Sequence, residues 1–407
     1  MRRILRLAVM ASASVAAVSL ANGGDFVREA AAQVPATPTC ASLPNPIYVA
    51  GSSAVGNVLA KLGGKLSAAA DPTTIVYIKA GGSCDGVNAI VSGLKVSAGP
   101  NYWDANGAKS DCTLPADGQV VDLGMSDVFP TSCPDITKAL LTDIGDFAGP
   151  VQSMNIVVPK AAVRTTISAE AAYLTFGLGA AGKTDWNNPA LFSIRSFQSG
   201  TETMIAKAIN VPTNKWLGVN AGGSGGVVTA ISNATVVDKT IGILASNEAD
   251  DPTNRTKIKR LAFQPYGEMC ALYPDSDFSS KDKANVRTGK YQIWGPLHML
   301  AKVDAQNVPT NPKAKQLLDI LLGNTVIDGV DVTSIETDTF TVPQCAMKVQ
   351  RTEELGKPKA YSPAGACGCF FDFKTTGTAS SGCKVCTTAA QCTAGAPMCN
   401  HGYCEVK

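Results

Sequence analysis

The sequence predicts an α/β fold with a mainly parallel sheet, followed by a small disulfide-rich C-terminal tail. Two observations carry this. From Ile47 onward, short β-type runs alternate with helical stretches, the pattern of strands joined by crossover helices. Near the end the alternation fades, and cysteines crowd in: Cys367, Cys369, Cys383, Cys386, Cys392, Cys399 and Cys404.

Taken in order, Ile47 to Ala50 reads as a strand and Val55 to Leu66 as a helix. Ile75 to Lys79 is a second strand, Gly86 to Leu94 a second helix and Val120 to Gly124 a third strand. Ser97 to Gly118, which follows Cys84 and contains Cys112, reads as an irregular insertion. Met154 to Val158 is a strand, Ser168 to Phe176 a helix and Leu191 to Arg195 a strand. Glu202 to Ile209 and Val227 to Ile231 are helical, with a strand at Ile241 to Leu244 and another within Tyr291 to Val303. Pro312 suits the first turn of an amphipathic helix that runs to Leu322.

Charged residues make up 17% of the 407 positions and the net charge is +2, most simply placed in the first 32 residues, where Arg2, Arg3, Arg6 and Arg28 outweigh Asp25 and Glu29. The rest is near neutral, which excludes a nucleic-acid face or a polybasic membrane patch. Residues 1–32 read as a signal peptide: a basic start, an apolar run from Leu7 to Leu20, and small residues that permit cleavage after Ala21 or Ala32. The mature chain is then expected outside the cytoplasm, in the periplasm or otherwise exported, with no transmembrane segment. An oxidising compartment agrees with 13 cysteines, whose odd number leaves one thiol over.

Three segments share one design, a β-type run, a small polar loop, then a helix start: Ala50-Gly51-Ser52-Ser53-Ala54, Ala80-Gly81-Gly82-Ser83-Cys84, and Arg195 through Thr201. The N–H groups of a helix start are unpaired and partially positive, so such a start favours an anion, and hydroxyls beside it can donate as well. The third segment also carries an arginine.

These residues resemble the phosphate-binding protein of the phosphate ABC transporter. Arg195-x-x-x-Ser199-Gly200-Thr201 is similar to that family's phosphate loop, Val121 through Asp127 to its strand ending in a ligand-contacting aspartate, and Gly51-Ser52-Ser53-Ala54 and Gly82-Ser83 to its first two loops. Gly222 to Gly226, then Ile241-Gly242-Ile243, resemble its Gly-rich turn and following strand. The resemblance spans residues 46 to 345 in order. It implies a two-lobed periplasmic-binding-protein fold of the second type, with lobe 1 at 46–150 and 291–350, lobe 2 at 151–290 and a Cys-rich tail at 365–407. The two crossovers are expected near Gly149 to Ser153 and Tyr291 to Ile293. It also implies inorganic phosphate or a related oxyanion as ligand and a membrane permease as partner. The implied ligand set is Ser53, Ala54 (through its backbone), Ser83, Asp127, Arg195, Ser199, Gly200 and Thr201. Two positions depart: Phe197 stands where the family has an acid, and Ala54 where it has an aromatic. No catalytic residue, metal or cofactor is implied.

Other signals weigh less. Gly177-x-x-x-x-Gly182-Lys183-Thr184 spells a P-loop, but a helix rather than a strand precedes it. Gly222-x-Ser224-x-Gly226 spells the nucleophile elbow of serine hydrolases, yet only His298 and His401 could serve a triad. An exported hydrolase using Ser224 is the alternative from another class, and a surface interaction protein acting through the tail is a third reading. The tail's Cys383-x-x-Cys386 has a zinc-ligand spacing, but export favours disulfides. Cys84 is expected to pair with Cys112 or Cys133 and not with the tail.

Overall fold

The computed structural model describes residues 37–79 and 81–406. The expected signal peptide lies outside the described residues.

The chain enters a sheet at β1 (Pro46–Gly51), passes through helix α1 (Gly56–Ser67) to β2 (Thr74–Ile78), and continues into α2 (Ser83–Val91). The segment read as an irregular insertion instead carries a hairpin, β3 (Pro100–Trp103) and β4 (Lys109–Asp111), which extends the sheet beyond β2. Tyr102 and Trp103 supply the β propensity, and Trp103 is buried against α1, where Gly63 leaves room for its ring. β5 (Leu123–Ser126) then pairs in parallel with β1 on its other side.

β6 (Ile144–Pro159) is the longest strand and crosses the molecule. After β7 (Thr166–Ser168) and α3 (Ala169–Tyr173) come β8 (Phe192–Ile194), α4 (Gly200–Ile209), β9 (Val219–Asn220) and α5 (Ser224–Ser232). β10 (Ile241–Ala245), α6 (Ser246–Ala249), β11 (Ile258–Arg260), β12 (Ala262–Gln264) and α7 (Ala284–Arg287) precede β13 (Trp294–Lys302). The sheet order is β4-β3-β2-β1-β5-β13-β6-β10-β8-β9, with β11 also on β6. The sheet is mixed, not mainly parallel. Strands returning through helices run parallel, whereas the crossing strands β6 and β13 run antiparallel to each other and to their neighbours β10 and β5. β6 pairs with β13 as far as Ser153 and with β10 from Met154, so the chain changes halves there. It returns alongside: the Met154 N–H donates to the Ile293 carbonyl at 2.8 Å. Pro296, which cannot donate to a ladder, sits at a register break in β13.

Helix α8 (Pro312–Leu321), capped by the Asn311 side chain, and α9 (Val332–Asp338) close the first half. A short ladder, β14 (Val349–Gln350) with β15 (Lys359–Ala360), leads to the tail. The tail holds α10 (Gly368–Thr376) and a three-stranded sheet of β16 (Lys384–Val385), β17 (Met398–Asn400) and β18 (Tyr403–Glu405). Six disulfides are formed: Cys40–Cys112, Cys84–Cys133, Cys345–Cys367, Cys369–Cys383, Cys386–Cys399 and Cys392–Cys404. Cys84 thus takes the second of its two expected partners, and Cys270 is the free, exposed thiol. The Sγ atoms of Cys386, Cys392 and Cys404 cluster within 4.8 Å, but each is already in a disulfide and is no thiolate for zinc. No helix among the described residues is long and apolar enough to cross a membrane.

Candidate anion site

Four helix starts meet where the two halves of the sheet face each other. From the first half come the turn at Ser53, which leads into α1, and the start of α2 at Ser83. From the second come α4, opening at Gly200, and α5, opening at Ser224. Each follows a strand end, because a β-α connection leaves the helix N-terminus at the carboxyl edge of the sheet.

Arg195 stands at the centre with 4% of its surface exposed. Its Nη2 donates to Ser53 Oγ at 3.1 Å and its Nη1 to Ser224 Oγ at 3.0 Å, so one guanidinium links the two halves through neutral hydroxyls. The hydroxyls themselves lie 3.3 Å apart. Nε is buried without a hydrogen-bond partner. Burial depresses the guanidinium pKa from its usual value, and the fields of Asp127, Tyr77 and Glu202 oppose that shift.

Asp127 lies directly beyond β5, also 4% exposed. Its Oδ2 accepts from Ser52 Oγ at 2.6 Å and from Ser83 Oγ at 3.3 Å, while Oδ1 is buried with no partner. Burial raises its pKa; the Ser52 hydrogen bond and Arg195 counteract that. Gly200 packs on this pair so closely that a Cβ there would fall 2.4 Å from Ser83 Oγ and 2.9 Å from Asp127 Cβ, which only glycine avoids. Gly82, at φ +156°, is equally constrained, with Gln198 O 2.5 Å from where its Cβ would be. The cleft is closed by direct bonds: Cys84 N–H to Gln198 O at 3.0 Å and Ser196 Oγ to Gly81 O at 2.9 Å.

Ser53, Ser83, Asp127, Arg195 and Gly200 are thus brought together, with Ser199 and Thr201 buried on the same helix start. The Ser199 side chain caps no helix N–H. Ala54 differs, since its N–H donates to Ser52 Oγ at 3.0 Å. Three participants lie outside the expected ligand set: Ser52, Ser224 and Glu202. Ser52 adjoins Ser53 in the first loop. Ser224 follows the same strand-loop-helix design, which its Gly-rich setting masked. Glu202, 1% exposed, accepts the Arg195 main-chain N–H at 2.9 Å, and burial pushes its pKa up to about 8. An acid in the first turn of the helix after the arginine was the available signal.

Ser224 Oγ meets Arg195 and Ser53, neither of them a general base. His298 directs Nδ1 at the Asp146 carboxylate, and His401 stacks on Phe370 in the tail. Gly177 to Gly182 lie in a π-type turn and a 3-10 turn, and Lys183 and Thr184 follow outside any helix, with no strand-loop-helix setting for phosphates.

No protein-family model and no curated protein sequence matches the chain. Solved structures do match. One from Clostridium perfringens, assigned as a phosphate ABC transporter substrate-binding protein and carrying bound phosphate, is 12% identical with a TM-score of 0.50, over 74% of this chain and 99% of its own. An ABC-type phosphate transport receptor from Vibrio cholerae is 16% identical with a TM-score of 0.45, over 73% of this chain and 99% of its own. The first likeness establishes the fold: this chain has the two-lobed fold of substrate-binding proteins, with a disulfide-rich C-terminal region added.

Proposed function

We propose that the protein binds inorganic phosphate, or a related protonated tetrahedral oxyanion, between two lobes and delivers it to a membrane permease. The lobes are 46–150 with 291–350, and 151–290. One observation carries the reading. The Arg195 guanidinium is buried, yet its hydrogen bonds go to two serine hydroxyls and none to a carboxylate. A buried cation is costly unless an anion compensates it, and helix starts from both halves surround this one. Asp127 Oδ1 supports the proton requirement: a buried acceptor without a donor fits a ligand that still carries a hydrogen. The C. perfringens neighbour, which has phosphate bound, supports the same class of ligand. The ligand set is Ser53, Ser83, Asp127, Arg195, Ser199, Gly200 and Thr201, joined by Ser224. Ala54, whose N–H is held by Ser52, is left out. Export fits the six disulfides, which persist in oxidising compartments.

Calorimetric titration with phosphate, sulfate, arsenate and molybdate tests this, on wild type and Arg195→Ala. Losing the charge-assisted pair of hydrogen bonds is expected to cost about 3 kcal/mol or more, a loss of roughly a hundredfold or greater. Phosphate binding unchanged in Arg195→Ala, or absent from wild type, would overturn the assignment.

A further inference from the structure

A second crevice, of about 320 Å³, opens far from Arg195 in the sequence, where the tail meets the first half of the fold. Leu321, Leu322, Val332, Pro343 and Pro363 give it apolar walls, and Glu336, Gln344 and His401 are its polar members. The tail completes it, through residues 363–365 and His401. Glu336 is 6% exposed. Its main-chain carbonyl accepts from the N–H and hydroxyl groups of both Thr339 and Thr341, at 2.8–3.2 Å, which pins the residue in place. Its carboxyl accepts no hydrogen bond among the described residues. A carboxyl held at an apolar crevice without a partner is the arrangement that a cation with a hydrocarbon stem would complete.

We propose that this crevice binds a short organic cation, a primary ammonium or guanidinium on an apolar stem, with Glu336 as its counter-ion. The volume lies at the small end of ligand pockets, roughly 300–1,000 Å³, which suits a stem of a few carbons. Among the described residues no cationic side chain takes the place: Lys374 pairs with Asp338 at 3.2 Å, Lys61 donates to the Asp338 carbonyl and Lys65 to the Gly329 carbonyl. Asp331 adds negative charge at the rim, with His401 Nδ1 3.7 Å from its Oδ2. Burial, and then Asp331, push the Glu336 pKa up to about 8. A cation therefore meets a mostly protonated acid at pH 7 and must displace its proton.

Titrating n-butylammonium into the full chain tests this. Wild type should bind it with release of close to one proton at pH 7, read from the dependence of heat on buffer ionisation. Affinity should rise roughly 50- to 100-fold between pH 6 and 8.5, as Glu336, with its pKa of about 8, ionises. Glu336→Gln, which keeps the shape, should lose at least tenfold. Phosphate should leave the binding unchanged, which separates this site from the cleft. Neutral n-butanol binding wild type as tightly as the ammonium ion, or Glu336→Gln binding it undiminished, would overturn the proposal.

Discussion

Replacing Asp127 with asparagine should narrow the preference for phosphate over sulfate. In the site, Asp127 Oδ2 takes the Ser52 and Ser83 hydroxyls at 2.6 and 3.3 Å, and Oδ1 has no partner. Near pH 7 hydrogen phosphate has a proton to donate to Oδ1. Sulfate has none and would set an oxygen against a buried carboxylate oxygen. An unsatisfied buried group costs about 1–3 kcal/mol, and more when charged, so wild type should favour phosphate by roughly five- to more than a hundredfold. In Asp127→Asn the amide oxygen can keep the two serine hydroxyls while the amide nitrogen takes the place of Oδ1 and donates. Sulfate binding should improve and phosphate binding weaken, bringing the two within about threefold. Calorimetry with both anions at fixed ionic strength and pH reads the ratio. A wild type that binds sulfate as well as phosphate, or an asparagine variant that discriminates just as strongly, refutes the reasoning.

Other outcomes follow from neighbouring groups. Glu202 has a pKa of about 8 in the fold against an ordinary 4.5, so its stability contribution is full below 4.5 and is lost as pH rises toward 8. Glu202→Gln should therefore stabilise the protein at pH 7, by up to about 3 kcal/mol, and leave it unchanged near pH 4, as read by urea unfolding at both pH values. Ser224→Ala removes the acceptor of Arg195 Nη1 and should weaken phosphate binding about tenfold, while a fluorophosphonate should leave wild-type Ser224 unlabelled. Removing both Cys84 and Cys133 opens a loop of 49 residues and should cost about 2–4 kcal/mol of stability in thermal or urea unfolding. Asp250→Ala leaves Arg260 and Lys283, each 2.8 Å from the Asp250 carboxylate and all three buried, to share Asp275, two buried cations on one carboxylate, so chemical unfolding should show a loss of about 3–5 kcal/mol.

Strands with uniform apolar runs were legible, as were helices with a marked start, such as α8 behind Asn311 and Pro312. β6 was read only over Met154 to Val158 because Gly145, Gly149 and Pro150 in its first part resemble breakers. In the sheet they are packing devices: a Cβ on Gly145 would lie 2.5 Å from a Val303 methyl, and one on Gly149 would press on Leu297 at 3.3 Å. Such close approach is set by the partner strand β13, more than a hundred residues away, and local patterning carries no trace of it. In the tail, spacing marks the cysteines but not their partners. Cys383 and Cys386, three residues apart, bond to Cys369 and Cys399 respectively.

At the site, the motif around Arg195 was read as having lost its acid, since Phe197 stands where the resemblance places one. In the fold Phe197 is half-exposed, and a carboxyl group comes instead from Glu202, in the first turn of α4. The substitution is not equivalent. An acid bonded to a guanidinium competes with the ligand for its donors, whereas Glu202 holds the main-chain N–H of Arg195 and leaves the side chain to Ser53 and Ser224. Both hydroxyls can turn their protons toward an incoming anion while still accepting from the arginine. The departure from the motif therefore changes how Arg195 is held, through its backbone rather than its head, and leaves the guanidinium bonded only to groups that can themselves donate to the ligand.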